Sequence, residues 1–170
     1  PICNEKALCG LGRDMEDGGA LNAAAVDSAI STLARFRSLL MQHGDPPTRV
    51  VATAAVREAK NGREFVKAVE RIGLSVDVLP GREEARLSGL GVVSFEPGAT
   101  GLVGDMGGGS LELIRLDAGE IRETASLSIG PFRLMKHGKG DLKAAAREAE
   151  QSIAGVSWLR ETRSPALYAV

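Results

Sequence analysis

Aromatic side chains are scarce. The 170 residues hold four Phe, one Tyr and one Trp, so a core must be built from Leu, Val, Ile and Ala rather than from stacked rings. Cysteine is almost missing too. Cys3 and Cys9 are the only two, and their spacing is not that of a metal knuckle. Unpaired thiols in a reducing compartment are expected, and with them a cytoplasmic protein. The two histidines, His43 and His137, are too few and too scattered for a His-based metal site, and neither has a positional partner for a Ser–His–acid triad. There is no surplus of charge of either sign. Lys and Arg number 21 against 22 Asp and Glu, for a formal net charge of −1. Neither nucleic acid nor an anionic membrane is therefore expected as a partner, although a local basic pocket could still take a polyanion. No apolar run approaches the roughly 20 residues of a membrane span, and no signal peptide is visible. The start at Pro1 without an initiator Met reads as a fragment or a processed chain.

What is present is a run of three glycines. In residues 99–116, Leu102 and Val103 read as the end of a buried strand and Asp105 as its tip. Gly107, Gly108 and Gly109 make the turn, and Leu111, Leu113 and Leu116 begin a returning strand with Ser110 and Glu112 at its mouth. Three glycines carry a backbone-entropy cost and contribute no packing. One use for them is a turn whose N–H groups converge on an anion. Asp105 could then hold a divalent cation or position a water, and Glu112 could face it across the loop. The plainer reading is a glycine-rich hairpin beside a solvated acid. No Gly-Lys-Ser/Thr ends the loop, and a strand rather than a helix follows it, which excludes a P-loop and a dinucleotide fingerprint.

The rest of the chain reads as mixed α/β. A loop over residues 1–20 leads to Asn22 as an N-cap and a helix over 23–43, with Val26, Ile30, Leu33 and Leu40 at helical spacing. A strand is expected at 49–53, a short helix at 54–61, a helix at 63–73, a strand at 74–79 and a helix from Glu83 to about Val93. The glycine hairpin and a strand at 120–127 complete a meander. A short basic helix at 131–137, a long helix at 141–160 and a strand start over Pro165–Val170 follow. Sites in such folds form beyond strand ends, where Thr53, Glu84 and Asp105 could converge. Trp158 should anchor the last helix.

Glu84, Asp105 and Glu112 are the candidate catalytic acids, since phosphoanhydride hydrolysis needs an in-line water, a proton acceptor and charge compensation. Glu83 is the neighbour hardest to separate from Glu84, and both could simply be acids favoured in a helix's first turn. Arg57 could fork onto a phosphate or form an ordinary salt bridge. Arg133, Lys136, His137 and Lys139 form a basic cluster that suits either a polyanion or a surface loop.

Three stretches resemble the exopolyphosphatase / guanosine pentaphosphate phosphohydrolase family, in order and with similar spacing. They are Ala52 to Phe65 (ATAAVREAKNGREF), Gly81 to Leu87 (GREEARL) and Gly104 to Glu112 (GDMGGGSLE). The resemblance implies a ribonuclease-H-like (actin-like) α/β sheet flanked by helices and incomplete at both ends. Residues 1–128 would be part of the first actin-like domain and 129–170 the beginning of the second. It implies Mg²⁺-dependent release of terminal phosphate from polyphosphate, or alternatively from guanosine pentaphosphate, or non-catalytic phosphate or nucleotide binding. By position, Glu84 matches the glutamate that activates water. Asp105 and Glu112 match the acids that position metal or water, Gly107 to Ser110 the phosphate cradle, and Arg57 the arginine directed at the phosphate chain. Leu111 stands where the family usually has threonine and Met106 where it usually has isoleucine. The family's first phosphate loop, an Asp-x-Gly-Ser-Asn-Ser hairpin, is absent, as is the Gly-Gly-Thr loop expected after Val170. A middle piece of the family fold, incomplete in catalysis and with an open sheet edge, is therefore expected, and a homodimer with it.

Overall fold

The computed structural model describes residues 4–13, 15, 19–162 and 166–170. The chain forms two compact units, Pro1–Leu79 and Pro80–Val170. Cys3, Gly18 and Pro165 lie outside the described residues.

The first unit is helical with a small sheet. Helix α1 (Ala23–Gln42) starts where expected, with Asn22 Oδ1 accepting from the Ala25 N–H at 3.2 Å. Strand β1 (Val50–Ala52) pairs in parallel with β2 (Val76–Val78), and α2 (Ala54–Glu58) and α3 (Gly62–Arg71) form the crossover. Leu21, Ala29, Val56, Phe65, Val69 and Leu74 make the core. Gly62 is needed because a Cβ there would stand 2.0 Å from the Val56 carbonyl oxygen. The Asn61 side chain accepts from the Leu21 N–H at 2.7 Å and holds the lead-in segment to the start of α3.

The second unit is three-layered. Its sheet runs β5-β4-β3-β6, with β3 (Gly101–Met106), β4 (Leu111–Asp117) and β5 (Glu120–Leu127) antiparallel in sequence and β6 (Leu167–Ala169) parallel to β3. Helix α4 (Gly81–Phe95) covers one face, where Ala85 packs with Val103, Ile114 and Leu116. On the other face Leu111, Leu113, Ile129 and Val156 form a second core with Ala149 of α6 (Leu142–Ala154) and Trp158. Strand β4 thus supplies apolar side chains to both faces by alternation, Ile114 and Leu116 to one and Leu111 and Leu113 to the other. The hairpin at Asp117–Glu120 puts Ala118 and Gly119 at positive φ, +50° and +80°, as two-residue loops of this kind require.

Three expectations need adjusting. Asp105 lies within β3, which runs on to Met106, rather than at the strand's tip. The helix expected over 141–160 ends at Ala154, where Gly155 follows and a 3₁₀ turn takes Ser157–Glu161. The parallel pair β1–β2 and the meander belong to separate sheets. Helix α5 (Pro131–His137) follows β5. Among the described residues no helix is long and apolar enough to cross a membrane.

Candidate active site

The β3–β4 hairpin sets Asp105 directly opposite Glu112, and the β4–β5 pairing sets Glu112 directly opposite Ser126. Directly opposed residues share a sheet face, so the three make one polar row across three strands. That face is the one carrying Val103 and Ile114, which α4 covers. Two carboxylates opposed across a ladder repel one another. A sequence that keeps such a pair at the end of a hairpin is not optimised there for sheet stability alone.

Glu112 is 1% exposed and Ser110 2%. Ser126 donates to Glu112 Oε1 at 2.7 Å and Ser110 to Oε2 at 3.3 Å. Burial, above all, pushes the Glu112 pKa up. The two hydroxyls oppose that rise, and the nearby charges of Glu84 and Asp105 add to it. The electrostatic neighbourhood therefore contains all three predicted acids. Helix α4 also contributes Ser88, whose hydroxyl lies 2.5 Å from Asp105 Oδ2 and 3.2 Å from the Glu84 carbonyl oxygen.

Glu83 and Glu84 separate cleanly. Arg86 grips both oxygens of Glu83, at 2.8 and 2.7 Å, the geometry of an i,i+3 surface pair. Glu84 is the one whose charge reaches Glu112. In the first unit, Arg57 donates to the Leu79 carbonyl at 2.7 Å and lies 3.7 Å from Glu58. It secures the residue that follows β2. Thr53 stands at the N-cap position of α2 without a side-chain capping bond, again within the first unit. In the basic segment His137 meets Glu148 at 2.8 Å, tying α5 to α6.

The glycine turn spans Gly107–Ser110 between the paired Met106 and Leu111. None of its glycines uses positive φ, and at Gly108 the requirement is one of space. A Cβ on Gly108 would lie 2.8 Å from the Phe132 ring, and one on Gly130 would lie 2.4 Å from the Gly108 carbonyl oxygen. That carbonyl accepts from the Phe132 N–H at 3.1 Å. The start of α5 therefore braces the back of the turn. A Cβ on Gly107, in contrast, would meet nothing closer than the Ser110 carbonyl oxygen at 3.6 Å. Leu111, the departure from the family's threonine, is buried against Leu113 and Ile129 on the opposite face from Glu112. A hydroxyl lost at that position is lost from the far side of the sheet, not from the acidic row.

Among the described residues no group of three or more His, Cys, Asp or Glu is arranged to hold a metal ion. Mg²⁺ needs less than that. It commonly takes one or two carboxylates and completes its shell with water and phosphate oxygens. The opposed pair Asp105 and Glu112 has the chemistry for that role.

A mixed sheet flanked by helices is consistent with the actin-like α/β class. The chain belongs to the Ppx/GppA phosphatase family, whose model matches residues 1–157. An exopolyphosphatase from Cytophaga hutchinsonii ATCC 33406 is 33% identical over 79% of this chain and 44% of its own, with a TM-score of 0.74. An exopolyphosphatase-like protein is 28% identical over 96% of this chain and 56% of its own, with a TM-score of 0.80. The Aquifex aeolicus PPX-GPPA enzyme is 26% identical over 96% and 56%, with a TM-score of 0.72. The chain thus spans about half the length of these solved relatives.

Proposed function

We propose that the protein to which this chain belongs is a phosphoanhydride hydrolase that releases terminal phosphate from inorganic polyphosphate with Mg²⁺. The observation that carries this reading is the row Asp105–Glu112–Ser126, with Glu84 close enough in charge to perturb Glu112. In this reading Glu84 takes the proton of the attacking water. Gly107 has no side chain to crowd a phosphate oxygen approaching its backbone, and Ser110 and Ser126 hold the Glu112 carboxylate in place. Asp105 and Glu112 would hold the Mg²⁺, which when bound offsets charge on the phosphate oxygens. Arg57 is assigned to the phosphate chain by its position in the family motif. Membership of the family and likeness to an exopolyphosphatase support polyphosphate as the substrate. Cytoplasmic location and a homodimer belong to the same proposal.

The test is phosphate release by the full-length protein, with polyphosphate and guanosine pentaphosphate compared with and without Mg²⁺. Mg²⁺-dependent release, faster from polyphosphate, is the expected result. Faster release from guanosine pentaphosphate would reassign the substrate, and polyphosphate binding without turnover would make the protein a sensor.

A further inference from the structure

Ser88 lies one helical turn after Glu84, so both side chains project from one side of α4. The helix approaches the sheet closely at the next residue. A Cβ on Gly89 would stand 3.0 Å from Ile114 Cγ2 and 3.2 Å from Ile121 Cδ1. That close approach, with Ala85 fully buried one turn earlier, brings the Ser88 hydroxyl to 2.5 Å from Asp105 Oδ2. Ser88 Oγ also lies 3.2 Å from the Glu84 carbonyl oxygen. A hydroxyl has one proton, and a charged acceptor at the shorter distance takes it.

We propose that Ser88 is a positioning residue that ties Asp105 on β3 to the helix carrying Glu84, fixing the two acids as one unit. Without it, Asp105 has a strand backbone and a repelling cross-strand Glu112 to orient it, and its carboxylate turns away from the glycine hairpin. The bond also occupies one Asp105 oxygen and leaves the other for water or cation. Glu112 is held by the Ser110 and Ser126 hydroxyls, so Ser88 acts on Asp105 alone. This role rests on the phosphohydrolase reading, but the side-chain geometry it requires does not.

The experiment compares Ser88→Ala and Ser88→Thr in the full-length protein, by kinetics on polyphosphate and by crystal structures of the variants. Ser88→Ala is expected to lower kcat about tenfold with KM changed less than about twofold, since small misplacements of reacting groups act on the rate. Ser88→Thr, which keeps the hydroxyl, is expected to restore most of it. In the Ser88→Ala structure the Asp105 carboxylate should leave its rotamer. Unchanged kcat in an active protein overturns the proposal. If wild type is inactive on both phosphate substrates, the functional reading falls and the structures decide Ser88 alone. An Asp105 carboxylate still within about 0.5 Å of its place then overturns the positioning role, and a displaced one supports it.

Discussion

At Glu112 a carboxylate that is 1% exposed meets two hydroxyls and the fields of two other acids. Its pKa is held above the ordinary carboxylate value, chiefly by burial. The folded chain therefore keeps its proton at a pH where the unfolded chain has lost it. By linkage, this site favours folding most below the unfolded value, and that contribution is lost as pH rises through the folded one. Glu112→Gln should accordingly raise the melting temperature relative to wild type near pH 8, and the difference should shrink toward pH 4. Thermal melts of both proteins across that range check it, and a pH-independent difference would contradict it. The same variant should lose activity, which is the cost of making the row comfortable. At this scale the sequence was informative where spacing was local. Glu84 and Ser88 are four apart on an amphipathic helix, so their shared side was open to reading, although only Glu84 was singled out. Glu83 could not be told from Glu84 by composition, because both suit a helix N-terminus and they are distinguished by the Arg86 fork on Glu83 and by the Glu84 charge felt at Glu112.

At the scale of elements, helices and strands were legible from periodicity, and the register was not. Counting back from the Asp117–Glu120 turn pairs Glu112 with Ala125. The structure pairs it with Ser126, because Arg115 opposes Glu123 while Leu116 opposes Ile121. Arg122 is the extra residue of a bulge, held by Asp117 and Glu120 at 3.3 and 2.6 Å. One added residue exchanges the faces of a strand, and here it turns the Ser126 hydroxyl toward the acid. The glycine turn carries a similar lesson. Gly108 answers to the Phe132 ring, whereas a Cβ on Gly107 would make only ordinary contact with Ser110, at 3.6 Å. Gly107→Ala should change stability by less than about 0.5 kcal/mol while weakening polyphosphate binding. Gly108→Ala should cost about 1–3 kcal/mol through crowding, with much of that relieved in a Phe132→Ala background. Chemical denaturation of the three variants and polyphosphate titration distinguish the two glycines. Equal stability losses at 107 and 108 would contradict the assignment.

At the scale of the molecule, the chain is two units with separate cores, one helical around a parallel strand pair and one layered on a four-stranded sheet. The three acids and the glycine turn all lie in the second unit, while Arg57 lies in the first. Family membership was legible from three linked motifs and is met by the match over residues 1–157. The separation into two sheets was not legible, because strand pairing between distant segments leaves no local pattern. The chain covers about half of its solved relatives, so chemistry belongs to the full-length protein and is best measured there. The most direct measurement is phosphate release from polyphosphate by full-length wild type and Glu84→Gln in Mg²⁺, with polyphosphate binding followed in parallel. The account predicts a loss of at least about a hundredfold in kcat with binding retained. Turnover by Glu84→Gln at the wild-type rate would contradict it.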